Sequence, residues 1–329
     1  MREGGRHREP PCAPAMCRTP TGLIGGLIMR IVVALGGNAL LQRGESPDAD
    51  IQESHVVSAI DGLAPLLRHH ELIITHGNGP QVGVLAVEST ADSALSRPYP
   101  FDALGAQTQG MIGYWIAQAL SRVMPGRKSA CLICRTLVRA DDPAMSRPTK
   151  FVGPVYDEPT ARQQQADQGW DMRQDGPAWR RVVPSPEPVQ IVELDMIKAL
   201  SNQGAIVICA GGGGIPVTRD ESGTLHGAEA VLDKDLTAAL LARAVDADAL
   251  LILTDVPTVM SGYGTARARP IRRATVAELR AMSFPAGSMG PKVEAACRFA
   301  EATGRTAAIG RLDDASALLA GAAGTVVTP

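Results

Sequence analysis

"IVVALGGNALLQRGE", residues 31 to 45, decides how the rest of the chain is read. Five apolar residues run straight into Gly36, Gly37 and Asn38, and the apolar pattern resumes at Ala39, Leu40 and Leu41. A strand that is apolar throughout belongs to a sheet covered on both faces, not to one with a wet side. The Gly-Gly-Asn that ends it offers nothing to a core, but it lets backbone approach another group closely. In doubly wound sheets ligands lie beyond the carboxyl ends of the strands, where a helix N-terminus turns its N–H groups toward anions.

The same device recurs along the chain. Strand-like runs occur at 30–35 (RIVVAL), 71–75 (ELIIT), 130–134 (ACLIC), 205–210 (AIVICA), 249–254 (ALLILT) and 306–310 (TAAIG). Helical periods separate them: in 51–69, Val56, Ile60, Leu63 and Leu67 share one face, and 104–123, 192–202, 233–246 and 289–303 read likewise. This alternation implies an α/β fold around a mainly parallel sheet. The second run ends in Gly77, Asn78 and Gly79, and the fourth in Gly211, Gly212, Gly213 and Gly214. A single turn of this kind is an ordinary connection, but four consecutive glycines carry an ordering cost that a turn does not require. The three turns are expected to meet at one edge of the sheet and to face phosphate or carboxylate. The chain has no GxxxxGK[ST] loop, and no strand-borne GxGxxG with an acidic residue about 20 positions on, so the common nucleotide loops are excluded.

Composition narrows the classes further. With 329 residues, 45% of them hydrophobic, the chain can bury a large core in one or two lobes. Lysine and arginine total 32 against 34 acidic residues, so nothing draws the molecule as a whole to nucleic acid or to a lipid surface. Aromatics at 3% are too few for a base-stacking platform. Six cysteines follow no disulfide framework, and Cys131 and Cys134 are read as core thiols within "ACLIC", consistent with a reducing cytoplasm. Residues 1–28 are rich in Arg, Pro and Gly, and are expected to be a disordered tail or to precede a true start at Met29. From about 140 to 190 prolines and charges replace apolar periodicity, which suggests an inserted irregular subdomain or lid.

Phosphoryl transfer asks a protein mainly for positioning and positive charge. Lys234 lies between Asp233 and Asp235 at a helix start, Lys292 lies at the start of another helix, and Lys150 lies in the insert. The ordinary reading of each is a solvated lysine, and of "DKD" a helix cap. Lysine at a helix N-terminus opposes the helix dipole, however, and two such helices point to an anion in front of them.

"VVALGGNAL", "THGNGPQVG", "QTQGMIGYWI", "PTKFVGP", "WRRVVPSP", "GGGGIPV", "EAVLDKDL", "LILTDV" and "AGSMGPKVEAA" together resemble the carbamate kinases of the amino-acid kinase family, in matching order from Met29 to Pro329. The resemblance implies a three-layer αβα sandwich around a mainly parallel open sheet, with a protruding subdomain at 140–190. It implies a homodimer and the reaction ATP + carbamate ⇌ ADP + carbamoyl phosphate with Mg²⁺, run toward ATP in catabolism of arginine or a related carbamoylated compound. A lobe at 29–200 would hold the carbamoyl group on Gly36, Gly37, Asn38, Gly77, Asn78 and Gly79. A lobe at 201–329 would hold the nucleotide on Gly211, Gly212, Gly213, Gly214, Asp255, Met289 and Gly290. Lys150, Lys234 and Lys292 would neutralise the phosphoryl oxygens and Asp235 would orient the lysines, with no metal ligand assigned on the chain.

Many members of the family carry a lysine before the first glycine pair, where this chain reads "VALGG", and Lys150 is the expected substitute. "DGPAW" at 175–179 departs from the family pattern near the protruding subdomain. Carbamate is already an anion, so no general base is needed, and His76 is read as structural. Arg180 and Arg181 are read as a phosphate clamp or as a structural pair, and the helix around Met111 to Leu120, with Tyr114 and Trp115, as part of a dimer face. The alternatives are a kinase for another small acid and a nucleotide-binding regulatory subunit without activity.

Overall fold

The apolar run at the head of the chain forms strand β1 (Arg30–Leu35), buried from Ile31 onward. The computed structural model describes residues 27–37, 40–42, 44–285 and 287–329. Asn38 and most of the N-terminal segment fall outside these. The chain continues with α1 (Ala49–His69), β2 (Glu71–His76), α2 (Gly79–Ala91), α3 (Phe101–Val123) and β3 (Ser129–Cys131). Next come β4 (Arg135–Leu137), β5 (Lys150–Tyr156), α4 (Glu158–Gln168), β6 (Met172–Asp175), β7 (Ala178–Val183) and β8 (Gln190–Ile191). These lead to α5 (Leu194–Asn202), β9 (Ile206–Ile208), β10 (Ile215–Arg219), β11 (Leu225–Gly227), α6 (Lys234–Ala244) and β12 (Ala249–Thr254). The chain ends with β13 (Val259–Ser261), β14 (Arg269–Ile271), β15 (Arg273–Thr275), α7 (Val276–Arg280), α8 (Met289–Thr303), β16 (Ala307–Arg311), α9 (Ala315–Leu319) and β17 (Thr325–Thr328).

Eight strands form the main sheet in the order β15-β17-β16-β12-β1-β2-β9-β3. All pairings are parallel except β16 with β17. Alternation along β1 divides the interior between the two faces of this sheet, as the period of a strand requires. Val32 and Ala34 join a core built with α5, α6, α7 and α8. Ile31, Val33 and Leu35 join another built with α1, α3 and α9. The result is the expected three-layer sandwich, in which β1 and β2 lie near the middle and their carboxyl ends share one edge.

Two expectations are corrected. "ACLIC" is not one strand: β3 stops at Cys131, and the chain then leaves the main sheet and joins a second one as β4, beside β10. Gln109 of α3 explains the break. Its Oε1 accepts from Cys134 N–H at 2.8 Å, while its Nε2 donates to the carbonyls of Cys134 at 3.1 Å and Gly211 at 3.0 Å. A buried carboxamide therefore takes the Cys134 N–H where the backbone changes sheets, while the Cys134 carbonyl still accepts from Ile215 N at 2.8 Å. Cys134 and Cys209 are buried, as is Cys297, but Cys131 is exposed on the edge strand.

The insert is also more regular than its sequence suggests. β5, β7 and β6 form an antiparallel sheet in that order, with α4 between β5 and β6 in the chain. Its order rests on charge stacked over rings, which hydrophobic periodicity does not register. Arg181 lies over Trp170 at 4.4 Å and over Phe101 at 4.7 Å, and Arg162 lies over Trp179 at 4.7 Å. Such contacts contribute roughly 0.5–2 kcal/mol each. Arg180 pairs with Asp175 at 3.1 Å. Both arginines thus have partners within the protein, which favours the structural reading of the pair. On α3, Trp115 packs into the core at 8% exposure while Tyr114 is 58% exposed, so the tryptophan is withdrawn from the proposed dimer face.

Gln109→Leu keeps most of the side-chain volume but leaves the buried Cys134 N–H without a partner and removes the second donor from two carbonyls that keep Ile215 N and Gly214 N. It is expected to cost about 3 kcal/mol. Urea unfolding checks this: the midpoint should fall at unchanged m-value.

Candidate active site

Two of the glycine turns close on one another at the carboxyl ends of β1 and β2. A side chain at Gly77 would meet Gly37 N at 3.2 Å and Lys234 Cδ at 3.5 Å, so only glycine lets the two loops and the lysine stem lie this close. Asn78 fixes the second loop by donating from Nδ2 to Thr108 Oγ1 at 2.9 Å. α2 starts at the next residue with Pro80 in its first turn, a position where the missing N–H costs nothing.

The run at 211–214 lies tightly against other parts of the protein. A Cβ on Gly211 would strike the His76 ring, one on Gly212 the Asn78 carboxamide, and one on Gly214 the Thr136 hydroxyl. Gly212 also has φ 65°, where a side chain is strained. The Gly213 carbonyl accepts from Thr136 Oγ1 at 2.9 Å and from Thr237 Oγ1 at 3.0 Å. Internal packing therefore accounts for the four glycines, and Gly212 is the one that lines the cavity.

The lysines gather around a buried acid. Asp233 caps α6 by accepting at Oδ1 from Asp235 N at 3.0 Å and from Leu236 N at 3.3 Å. Its Oδ2 accepts from Lys150 Nζ at 2.6 Å, which brings β5 to the start of α6. Asp235, 3% exposed, binds Lys234 through Oδ1 and Lys292 through Oδ2, the latter at 3.2 Å. Lys292 also donates to Ser288 O at 3.3 Å. Three ammonium groups from β5, α6 and α8 thus face two carboxylates, leaving a net charge of +1 at the mouths of two helices.

Burial pushes the Asp235 carboxyl up, but the two ammonium groups beside it outweigh this and hold it below the usual carboxylate range. Burial also pulls Lys234 below the ordinary lysine value; Asp235 opposes this and the charge of Lys292 adds to it. The Asp235 carboxylate therefore stays ionised between its two lysines. His76 is fully enclosed, and its Nδ1 donates to Gly77 O at 2.8 Å. Burial is the main cause that brings its pKa down to about 4, helped by the charge of Lys234, so the ring is neutral and supports the loop.

Gly37, Gly77, Asn78, Gly79, Lys150, Gly212, Lys234, Asp235 and Lys292 all line one cleft of about 190 Å³, small beside the hundreds of Å³ of drug-sized pockets. Asp233, Leu232, Ser288 and Pro291 join them there. Gly36 is behind the wall, where a Cβ would lie 2.8 Å from Leu253 O. Gly211, Gly213, Gly214, Asp255, Met289 and Gly290 do not line this cleft. Asp255 accepts from Thr254 Oγ1 at 3.0 Å, Met289 packs on the core beneath α8, and Gly290 N donates to Pro285 O at 2.9 Å. The carboxylate of Asp233 was legible in the sequence only as a cap, and its hold on Lys150 across 83 positions has no local signal.

The model of the amino acid kinase family matches residues 29–311. A carbamate kinase of Rhizobium meliloti is 50% identical over 304 residues, covering 91% of this chain and 93% of that protein. The chain belongs to the carbamate kinases of the amino acid kinase family. An Escherichia coli K12 carbamate kinase is 47% identical over 298 residues, covering 91% and 99% of the two chains. Among solved structures, a carbamate kinase of Giardia lamblia bound to AMP-PNP superposes with a TM-score of 0.84 at 38% identity, over 92% of this chain and 98% of that one. The Giardia lamblia structure shares the αβα architecture described above. Among the described residues no cluster of three or more His, Cys, Asp or Glu side chains is placed to hold a metal ion.

The buried histidine gives a pH signature. An unfolded histidine takes up its proton near 6.5, whereas His76 in the fold waits until about 4. The unfolded state binds more protons in that window, so stability falls as pH drops from 6.5 to 4, by about 3 kcal/mol. His76→Asn should flatten that slope in urea titrations at stepped pH; an unchanged slope would show that the ring is protonated in the fold.

Proposed function

We propose that this chain transfers the terminal phosphoryl group between ATP and carbamate, giving ADP and carbamoyl phosphate, reversibly. The observation that carries the reading is Asp235 holding Lys234 and Lys292 against the Gly37 and Gly77–Gly79 loops. In the forward direction a carbamate oxygen forms a bond to the γ-phosphorus while the bond to the ADP oxygen breaks. Charge spreads over the equatorial phosphoryl oxygens, where ammonium groups fixed in advance stabilise it more than they stabilise the ground state. Carbamate brings its own ionised oxygen, which fits a site whose carboxylates are both engaged by lysines.

The loops at Gly37 and Gly77–Gly79 hold the small substrate, and the half from 201 onward holds the nucleotide. Lys150 supplies the charge that many relatives place in the first strand. Magnesium arrives with the nucleotide phosphates as part of the substrate. The enzyme works as a cytoplasmic homodimer and runs toward ATP, consuming carbamoyl phosphate formed in the catabolism of arginine or a related carbamoylated compound.

A coupled assay for ATP formed from carbamoyl phosphate and MgADP tests the reading, with acetyl phosphate and other acyl phosphates as competing donors. Carbamoyl phosphate should be the preferred donor, and Lys292→Ala should abolish most of the signal. Lys150→Ala should lower kcat by roughly 10² or more, the usual loss for one transition-state donor, with the circular dichroism spectrum intact. Near-normal turnover in that variant would remove Lys150 from the mechanism.

A further inference from the structure

Lys150 stands on a small sheet outside the main one, yet its ammonium reaches a cleft formed at the edge of the main sheet. The join between these bodies is a crossing of bare backbone. β5 pairs with β7 from Lys150 and Val183 to Val152 and Arg181, then slips register before Tyr156 and Trp179. Gly153 lies in that slip with φ 73°. It rests directly on Gly83 of α2: a Cβ added to Gly83 would overlap Gly153 Cα and lie 2.6 Å from Gly153 N. Both are backbone atoms, so a change of rotamer cannot relieve the overlap and the strand itself must move.

α2 reaches the substrate side as well. It begins at Gly79, directly after Asn78, and Val82 beside Gly83 both lines the cleft and packs in a small core with Ala86, Phe101, Leu104, Val152 and Val183. One helix therefore carries the Gly77–Gly79 loop at its head and bears β5 a turn later.

We infer that the crossing of Gly83 and Gly153 is a positioning contact that sets how far the Lys150 ammonium stands from the substrate loops, and that Gly83 is a positioning residue for phosphoryl transfer. The small core clamps β5 against α2 on this side, and the Lys150–Asp233 pair holds the strand end on the other. Three residues of strand, roughly 10 Å, separate the crossing from Lys150, so a displacement at Gly153 is carried along stiff backbone to the ammonium. The inference rests on the catalytic role proposed for Lys150.

The test is a cycle of Gly83→Ala, Lys150→Ala and the double variant, assayed as ATP formation from carbamoyl phosphate and MgADP. Gly83→Ala should lower kcat by roughly 10- to 100-fold, the scale of an ångström-sized misplacement of a catalytic group. The KM for MgADP should change less than about threefold, since the contact touches the lysine and not the nucleotide. In the Lys150→Ala background Gly83→Ala should cost no further activity, because the group it misplaces is already gone. Gly110→Ala on α3, where a Cβ meets open space, serves as the control and should leave kcat unchanged. An equal loss in both backgrounds, or a Gly83→Ala enzyme within about twofold of the parent, overturns the inference. Near-normal activity of Lys150→Ala alone would instead overturn the role of that lysine. Should Gly83→Ala fail to fold, Gly153→Ala replaces it in the same cycle: its Cβ would meet Gly83 at an ordinary 4.0 Å, and only the positive φ would disturb β5.

Discussion

A carboxylate with almost no access to water, gripped by two ammonium groups, is the interaction on which the site depends. Asp235 is 3% exposed, and both of its oxygens are committed, one to Lys234 and one to Lys292. Burying an isolated carboxylate costs several kcal/mol, and the cost is offset here only because two cations are buried with it. The arrangement in turn requires α6 and α8 to lie side by side on one face of the sheet, with their first turns level. The sheet order β16-β12-β1-β2 and the shared core beneath both helices supply that alignment. Fold and electrostatics are thus one constraint: a shift of either helix would strand a buried charge.

Asp233 extends the same logic to a third element. One of its oxygens closes the first turn of α6, and the other receives Lys150 from the antiparallel subdomain. The cap therefore does more than end a helix, since it also decides where the subdomain meets the body. Without Lys150 the local sum is two lysines against two aspartates; with it, the sum favours an anion. On the proposed reading, the charge a relative would carry in its first strand comes from a neighbouring sheet, and its placement depends on how that sheet is mounted.

Much of this architecture can be read from sequence because it rests on local physics. Apolar runs such as 30–35 and 249–254 became β1 and β12 with the same limits, and the helix expected at 289–303 became α8 unchanged. Lys234 and Lys292 stood out because cations at helix starts contradict the dipole. What escaped was non-local. "ACLIC" looks like one strand until Gln109, 25 residues before Cys134, takes the Cys134 N–H out of the ladder. The insert looked irregular because its arginines stack on Trp170, Trp179 and Phe101, which a hydrophobic period cannot detect. Four glycines suggested a ligand, while the atoms they make room for are those of His76, Asn78, Leu232 and Thr136.

That last difference changes how the glycine loops are understood. Backbone that faces open solvent tolerates small additions, because water can leave. The Gly211–Gly214 wall has no such freedom: each added Cβ would meet protein, and three of the four residues hold positive φ. Rigidity of this kind is what a phosphoryl-transfer site needs, since donors that must reorganise during the reaction return part of their stabilisation as reorganisation energy. The wall braces Asn78 and His76, these brace the Gly77–Gly79 loop, and Lys234 lies along Gly77. The glycines thus serve the anion at one remove, by fixing the backbone against which a buried lysine is aimed.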